Sequence, residues 1–216
     1  MSQVSSSGGI KPPKTARGKR TRAKLLDAAE IEFGERGFYE AAISGITRRA
    51  GVALGTFYVY FESKEEIFRV LVSHMGILTR SWIAERVAAA PNRITAERLG
   101  VEAFIDFVRR HKNLYRIVME AQFVAEDAYR QYYAVFVEAY RMNLVRAAAR
   151  GEIRPGGEEE RAWALIGISV FLGMRYAVWD DSRPAAEIAA AAGDFIEWGL
   201  SARDGPALEW DDEHGD

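Results

Sequence analysis

Apolar side chains recur at helical spacing along almost the whole chain. The first clear run places Leu25, Leu26, Ala29 and Phe33 three or four positions apart, which lines them up on one face of a helix. No stretch shows the sustained two-residue alternation of a half-buried strand. The pattern therefore predicts an all-α fold of about nine helices.

The first three helices are short and separated by glycines. Gly37 is predicted to end the first helix, because glycine commonly follows the last helical turn. A second helix is predicted over residues 43–50, Gly51 reads as a turn, and a third helix over residues 54–61 is rich in aromatic residues. Three short helices with a turn of this kind form a compact unit at the start of the chain.

A long helix is predicted next. Ser63 followed by Glu66 fits a capping box, and the apolar positions after it continue to about Ala90, just before a proline. Further helices are expected over residues 95–110, 126–150 and 158–179, with one more that Asn113 would cap and a last one with Pro184 in its first turn.

Charge is distributed unevenly, although the net charge of the 216 residues is only −2. Residues 1–24 contain seven basic side chains and no acidic one, and residues 1–61 contain ten basic and five acidic side chains. The last 13 residues contain six acidic side chains and no lysine or arginine. The N-terminal part of the chain is thus basic and the remainder acidic, which suggests that the N-terminal part approaches a polyanion. The alternative is that both charged ends are solubilising tails.

These patterns divide the chain into four parts. Residues 1–19 are rich in Ser, Gly, Pro and basic side chains and are expected to be a disordered arm. Residues 20–62 hold the three short helices, residues 63–203 form a larger helical body, and residues 204–216 are expected to be a disordered acidic tail.

Composition excludes several classes of protein. The chain has no cysteine, which rules out disulfides and thiolate metal sites, and its three histidines are scattered, so we expect neither metal nor cofactor. No nucleotide-binding glycine loop, zinc-protease motif or nucleophile elbow is present. The start of the chain lacks the pattern of a secretory signal, and we expect a cytoplasmic protein.

One apolar run is long enough to be tested as a membrane span. Residues 162–179 are largely apolar, but Arg175, Ser169 and two glycines interrupt them. A helix that is apolar on all sides can instead be buried between protein surfaces. We expect this second arrangement, with a partner subunit supplying the second surface.

The short helices suggest a helix-turn-helix, in which the recognition helix enters the major groove of DNA and the preceding helix crosses the backbone. The residues make this more specific. The segment reads Ile46-x-x-x-Ala50-Gly51-Val52-x-x-Gly55-Thr56-Phe57-Tyr58-x-Tyr60-Phe61-x-x-Lys64-Glu65, and it resembles the signature of the TetR family of bacterial transcriptional regulators. Upstream, Ala28-Ala29-x-x-x-Phe33-x-x-x-Gly37-Phe38 is similar to the first helix of that family, so the resemblance covers about residues 20–72.

The resemblance and the residue chemistry together give a set of candidate DNA contacts. Gly55 allows a close approach to DNA, hydroxyls can meet phosphates or base edges, and Lys64 matches a position where the family commonly contacts phosphate. Phe57 and Phe61 are expected to pack in the core with Phe33 and Ile46. The candidate set is Ser44, Thr47, Arg48, Leu54, Gly55, Thr56, Tyr58, Val59, Tyr60 and Lys64.

Several positions depart from the family or allow a second interpretation. Ala41 and Ala42 stand where the family usually has a capping Thr or Ser, and Thr47 stands where it usually has Ala. Leu54 and Val59 replace polar base readers and would instead touch thymine methyl groups. Tyr58 and Tyr60 are alternatively core aromatics, and Arg48 and Arg49 alternatively form a solvated face.

The body concentrates aromatic and methionine residues, which suit an adaptable apolar pocket between helices; an ordinary packed core is the alternative. The resemblance implies that a small effector binds there and releases DNA. We expect a largely apolar molecule, with an acyl-CoA thioester as one option, and the helix after Ser63 as the lever. The candidate pocket residues are Phe104, Phe107, Met119, Phe123, Tyr133, Phe136, Tyr140, Phe171 and Arg175.

The resemblance also implies a homodimer formed by the last two helices, which binds a near-palindromic operator. Ser169 and Gly173 form a pair of small residues that allows close helix packing. The candidate interface residues are Trp163, Ser169, Gly173, Trp179, Phe195 and Trp198. The predicted function is thus a DNA-binding regulator, as a rule a repressor; a helical protein-interaction module and a small helical enzyme are the alternatives.

Overall fold

The computed structural model describes residues 13–201, and every regular element in this range is helical. The predicted all-α class with nine α-helices is confirmed. In chain order they are α1 (Ala16–Glu40), α2 (Ile43–Ala50), α3 (Leu54–Phe57), α4 (Lys64–Val87), α5 (Arg93–Arg110), α6 (Lys112–Val124), α7 (Glu126–Ala149), α8 (Glu158–Gly173) and α9 (Ala185–Leu200).

The first helix begins earlier than the sequence pattern predicted. Residues 16–19 belong to α1 and not to an irregular arm, because the hydroxyl of Thr15 accepts the backbone N–H of Gly18 and caps the helix. Lysine, arginine and alanine are also good helix formers. The other part of the predicted arm, residues 1–12, and the predicted acidic tail, residues 204–216, lie outside the described residues.

Two glycines set the path of the N-terminal helices. Gly37 has φ 76°, which interrupts the helical geometry of α1 where the sequence predicted an end. Gly51 has φ 67° and ends α2, as expected from the turn predicted there. Both conformations lie in the left-handed region that glycine adopts without steric cost.

The third helix is shorter than predicted, with residues 54–57 in α-helix and residues 58–60 in turns. The N–H of Val59 bonds to the carbonyl of Thr56, and the N–H of Tyr60 to that of Phe57, so the chain tightens to three-residue spacing. Aromatic and β-branched residues lose side-chain freedom in a helix, which explains the early end.

One half of the predicted capping box at the start of α4 is present, since the hydroxyl of Ser63 accepts the N–H of Glu66. The Glu66 carboxylate accepts the N–H of Glu62, one residue before the cap, and not that of Ser63 itself. The helix ends at Val87, somewhat before the predicted Ala90.

Three caps in the body differ from the expectation or add to it. Asn92 caps α5 by accepting the N–H of Thr95 at 2.8 Å, so this helix starts at Arg93 and not at residue 95. Asn113 does not cap α6, because it lies inside that helix and packs against Gly34 of α1. Pro184 precedes α9 as its N-cap and is not in its first turn.

The predicted helix over residues 158–179 changes its geometry along its length. It is α-helical to Gly173 and continues as a π-helical segment, Met174–Trp179. π-Helical turns of this kind are rare in proteins, but those that occur are often found at functional sites.

One hydrophobic core extends from the short N-terminal helices into the body. Phe33, Ile46, Phe57 and Phe61 are each at most 1% exposed, which confirms the packing predicted for them. The long helix α4 packs against α1, α5, α6 and α7 and therefore lies between the N-terminal unit and the body.

Candidate DNA-binding surface and effector cavity

Backbone hydrogen bonds at the end of α2 shape the turn that leads into α3. The N–H of Val52 donates to the carbonyl of Thr47 at 3.0 Å, and the N–H of Gly51 to that of Arg48 at 3.3 Å. No side chain caps the start of α2 at Ala42, which agrees with the departure from the family pattern seen in the sequence.

The turn and α3 present a continuous exposed surface. Leu54 is 51% exposed, Tyr58 51% and Val59 62%, and Gly55 has no heavy atom of the described residues within 4 Å of where a Cβ would lie. Ser44 and Arg48 on α2 are exposed as well, whereas Thr56 and Tyr60 are half-buried. The structure thus brings most of the candidate DNA contacts to one end of the molecule.

Thr47 is not available as a DNA contact. Its side chain is buried, with 4% of the residue exposed, and its hydroxyl donates to the carbonyl of Ser44 at 3.2 Å. The spacing contains the signal for this: Thr47 lies four positions after Ile43 and three before Ala50, which puts it on the apolar face of α2.

Lys64 is engaged within the protein and not presented as a free phosphate ligand. Its ammonium donates to the carbonyls of Phe38 at 2.7 Å and Ala41 at 2.9 Å, and it lies 4.4 Å from the centre of the Phe38 ring. This cation therefore satisfies carbonyls at the end of α1, a position where positive charge is favoured by the helix dipole.

A buried carboxylate, missed in the sequence, fixes the angle between α1 and α2. Glu32 has a side chain that is 3% exposed, and it pairs with Arg49 at 2.7 Å and Arg36 at 3.2 Å. Gly45 makes this possible, because a Cβ there would collide with the Glu32 carboxylate. Arg49 is thus a structural partner and not part of a purely solvated face.

The body contains a small apolar cavity of about 40 Å³ between α4, α5, α7 and α8. No charged side chain lines it. Four candidate pocket residues, Phe104, Tyr133, Phe136 and Tyr140, contribute to its wall. Ile83, Gly100, Tyr132, Ile166, Ser169 and Val170 complete it and were not among the pocket candidates.

The tyrosines of this region remain neutral hydrogen-bond donors. Burial raises the pKa of Tyr132 to about 12 and also raises the pKa of Tyr133. Burial raises the pKa of Tyr140 as well, and the adjacent Glu97 carboxylate, to which Tyr140 donates, adds to the increase. Glu97 is 1% exposed, and burial raises the pKa of its carboxyl group, while the ion pair with Arg93 at 2.7 Å and the hydrogen bond from Tyr140 oppose that increase.

Two open clefts lie nearby. One of about 390 Å³ shares wall residues with the first cavity and is lined by the candidates Met119, Tyr133 and Phe171, among others. Another, of about 430 Å³, lies between α1, α6 and the π-helical segment and includes Met119. A polar cleft of about 410 Å³ lies elsewhere, near the start of α5 and the end of α9.

Three candidate pocket residues lie outside these cavities. Phe107 is 1% exposed and packs in the core against Trp82 and His111. Phe123 is 78% exposed on the surface of α6. Arg175 pairs with Asp180 at 3.3 Å in the π-helical segment and is exposed. Sequence periodicity marks such residues as apolar or charged but does not say which side of a helix borders a cavity.

An exposed apolar face covers parts of α8, the π-helical segment and α9. Trp163 is 47% exposed, Phe171 67%, Trp179 67%, Phe195 72% and Trp198 80%. Large apolar surfaces of this kind mark interaction sites.

The small residues of α8 serve another purpose than the one predicted. A Cβ at Gly173 would lie 2.7 Å from Cε1 of Phe104, so this glycine allows α5 to pack closely within the same chain. Ser169 lines the inner cavity, and its hydroxyl donates to the carbonyl of Leu165. Both therefore face inward and are removed from the interface candidates.

The segment Glu158–Trp179 is long and apolar enough, by length and composition, to cross a membrane, with a mean hydropathy of 1.4 over its most apolar window. Only 28% of that window is buried. A single helix of this kind is weak evidence for a membrane span.

The N-terminal unit also matches a known family. Residues 25–71 match the family described as bacterial regulatory proteins, tetR family. The resemblance predicted from the sequence is confirmed for this segment, which carries the helix-turn-helix described above.

Curated relatives are named as transcriptional regulators. YdgC of Bacillus subtilis, an uncharacterized HTH-type transcriptional regulator, is 36% identical over 106 residues, which cover 47% of this chain and 54% of YdgC. FasR of Mycolicibacterium smegmatis, an HTH-type transcriptional activator, is 34% identical over 106 residues, which cover 49% of this chain and 48% of FasR. The chain thus spans about half the length of these relatives. Their names agree with the prediction of a regulator and not an enzyme.

Solved structures extend the likeness to the body. FadR of Bacillus subtilis, in complex with stearoyl-CoA, has a TM-score of 0.71 at 18% identity, covering 81% of this chain and 96% of FadR. AibR, in complex with isovaleryl coenzyme A and operator DNA, has a TM-score of 0.65 at 19% identity, covering 82% of this chain and 97% of AibR. About four fifths of the chain therefore shares the fold of these two structures.

Proposed function

We propose that the protein is a cytoplasmic transcriptional regulator that binds operator DNA as a homodimer and responds to a largely apolar effector. The single observation that carries the proposal is the exposed surface of the helix-turn-helix. Its residues Leu54, Tyr58 and Val59 are half or more exposed although they are large and apolar or aromatic. Exposure of such side chains beside the basic start of α1 suits contact with the DNA backbone and base edges.

The proposed DNA contacts are the candidates that remain exposed or half-buried. The hydroxyl of Tyr58 is proposed to meet a phosphate, and Leu54 and Val59 to touch thymine methyl groups. The complete set is Ser44, Arg48, Leu54, Gly55, Thr56, Tyr58, Val59 and Tyr60.

Binding as a dimer follows from the second exposed surface. The apolar face with Trp163, Phe171, Trp179, Phe195 and Trp198 would be covered by the same face of a second copy, as two-fold symmetric interfaces require. Two recognition helices related in this way demand two half-sites, about 34–36 Å or a multiple of that apart.

The effector is proposed to place a largely apolar part in the body, and an acyl-CoA thioester, with its acyl chain as that part, is the class we favour. The inner cavity has no charged side chain in its wall, and its tyrosine hydroxyls remain protonated. Two solved regulators of the same fold hold acyl-CoA molecules, stearoyl-CoA in FadR and isovaleryl coenzyme A in AibR. We propose that the effector releases DNA from a repressor; FasR, named as an activator, represents the alternative mode.

A protein-interaction module is the second candidate function. The exposed apolar face by itself would fit a protein partner, but it does not account for the match of residues 25–71 to a DNA-binding family. An enzyme is not favoured by any residue cluster that we find among the described residues.

Selection of duplexes from a random pool by the purified protein tests the proposal. We expect enrichment of a near-palindromic sequence with two half-sites. The Tyr58→Phe variant should recover the same sequence with weaker binding, because one hydroxyl contact is lost. Tyr176→Phe makes the same chemical change in the body and should bind like the wild type. Failure to enrich any sequence would contradict the proposal and favour the interaction module.

A further inference from the structure

The start of α1 is fastened to the end of the recognition segment, residues 54–60. Gly18 is buried, and a Cβ on it would lie 3.6 Å from the hydroxyl oxygen of Tyr60. One turn further along α1, the guanidinium carbon of Arg22 lies 5.2 Å from the centre of the Phe61 ring. The exposed side chains of these turns therefore lie at the same end of the molecule as the proposed DNA contacts.

Basic side chains crowd the exposed sides of these turns, and residues 13–26 contain no acidic side chain. Five of the basic side chains are exposed: Lys14, Arg17, Lys19, Arg20 and Lys24. Arg17, Arg20 and Lys24 follow one another at spacings of three and four, which places them in one row along the helix. This basic row extends for about 10 Å at the helical rise of about 1.5 Å per residue.

The basic row has no anionic partner within the described part of the protein. Among residues 13–201, no carboxylate oxygen lies within 4.0 Å of the cationic groups of Arg17, Arg20 or Lys24. Exposed arginines elsewhere, such as Arg150 and Arg175, pair with carboxylates. The cations of the basic row are therefore available to an external anion.

The position of the basic row is unfavourable for the helix of the free protein. The N-terminal end of a helix carries partial positive charge, and like charges three or four positions apart repel each other. The first turn of α1 contains no acidic residue that would offset these effects. A bound polyanion reverses both effects, so the placement of these cations favours an anionic partner.

The helix-turn-helix by itself supplies few cations to such a partner. Lys64 and Arg49 are engaged within the protein, which leaves Arg48 as the one cation among the proposed DNA contacts. Cations that neutralise phosphates supply essentially all of the non-specific affinity of a protein for duplex DNA and a large share of its specific affinity. The motif therefore leaves most phosphate contacts to another element, and the basic row lies beside it.

We infer that the basic row binds the phosphate backbone next to each half-site and supplies most of the electrostatic affinity for DNA. The turn and α3 then supply the sequence selectivity. This inference rests on the proposed function and adds a second DNA-binding surface to it. Phosphate contacts carry no direct sequence information, so the row strengthens binding to operator and scrambled duplexes alike.

Salt titrations of operator binding measure the contribution of the basic row. Arg17→Gln, Arg20→Gln and Lys24→Gln are combined in one variant, since glutamine lacks the charge and is a comparably good helix former. Three cations are lost in each of two chains, so the logarithm of the association constant should fall less steeply with the logarithm of salt, by about five units of slope. Arg20→Gln alone should reduce the slope by about two. Arg146→Gln, which changes an exposed and unpaired arginine in the last turn of α7, should leave it unchanged.

Two further measurements on the triple variant separate phosphate binding from other roles. The ratio of operator affinity to scrambled-duplex affinity should stay within about twofold of the wild type, because base contacts are kept. The melting temperature without DNA should equal or exceed that of the wild type. A melting temperature that falls together with DNA binding would mark the row as structural and would overturn the inference.

The remaining outcomes distinguish this inference from the proposed function. An unchanged salt slope in the triple variant, with a wild type that binds the operator, would overturn the inference and leave the proposed function intact. A wild type that binds no duplex would contradict both. Vesicles of phosphatidylserine and phosphatidylcholine test a membrane as the partner. If the triple variant loses vesicle binding but keeps the full DNA affinity, the row is a lipid contact and the inference is wrong.

Discussion

At the scale of single residues, Lys64 shows how a family position can take a structural role. Its ammonium satisfies carbonyls at the end of α1, where backbone acceptors would otherwise lack a partner. We predict that Lys64→Met lowers the free energy of unfolding by about 2 kcal/mol, because charge-assisted hydrogen bonds are lost while the aliphatic stem is kept. Urea denaturation measures this. The exposed Lys24→Met is the control, and an unchanged midpoint for Lys64→Met would contradict the role.

His111, between α5 and α6, gives the protein a pH dependence near neutrality. Burial, and next the positive Arg110, lower the pKa of this imidazole from its ordinary value of 6.5. The unfolded chain then binds the proton more tightly than the folded one, so the stability is fully present above about pH 6.5 and declines as the pH falls through that value.

The measurement is the melting temperature between about pH 7.5 and 5.5. We predict a decrease toward lower pH in the wild type and a smaller decrease in His111→Asn. The exposed His74→Asn is the matched control and should follow the wild type. If His111→Asn loses as much stability as the wild type over this range, the imidazole is not the group responsible.

Exposure decides which single residues of the candidate site were predictable. The motif placed Leu54, Tyr58 and Val59 correctly on the outside, because they alternate with the buried Phe57 and Phe61. Thr47 was misplaced, since its hydroxyl suggested DNA although its spacing put it on the apolar face. The partners of Lys64 could not be predicted, because Phe38 and Ala41 lie more than twenty positions away along the chain.

At the scale of helices, Gly173 tests whether α8 packs on α5 or on a partner. Its missing side chain leaves room for Phe104, which is 6% exposed and cannot easily move. We predict that Gly173→Ala lowers the free energy of unfolding by about 1–3 kcal/mol through overpacking. Gly100→Ala in α5 is the control: the nearest atom, Cγ1 of Val87, would be 3.9 Å away, so a gain of up to about 1 kcal/mol is expected. A neutral Gly173→Ala would contradict this packing.

The helices themselves could be predicted well, and their orientation could not. Capping at Ser63 and the glycines at 37 and 51 were readable, because each has a local physical cause. The segment Glu158–Trp179 is apolar almost all round, so its sequence has no polar face to show which side meets α5 and which meets solvent. The wider turns after Gly173 likewise had no local signal.

At the scale of the whole molecule, the exposed apolar face predicts dimerisation. Trp198 is 80% exposed, so Trp198→Glu should leave the single chain folded but place a charge in the proposed interface. Sedimentation at micromolar concentration should show a dimer for the wild type and a monomer for this variant. Phe123→Glu, at a residue 78% exposed on α6, is the control and should remain dimeric. A monomeric wild type would refute the proposed interface.

The sequence predicted the cavities of the body only through the aromatic composition of their walls, and not which residues form those walls. Aromatic residues that line the small apolar cavity of the body, such as Phe136 and Tyr140, occur in the same stretch as the fully buried Phe107. Both kinds of position select large apolar side chains, and the distinction depends on how neighbouring helices are spaced.

The central claim is tested most directly by fluorescence anisotropy. The protein is titrated into a selected operator duplex and into a scrambled duplex of equal length, at several salt concentrations. We predict two chains per operator and an affinity for the operator at least about a thousandfold above that for the scrambled duplex. The logarithm of the association constant should fall linearly with the logarithm of salt concentration, as phosphate contacts require. Equal binding to both duplexes, or no binding to either, would contradict the account of this chain as a sequence-specific DNA-binding dimer.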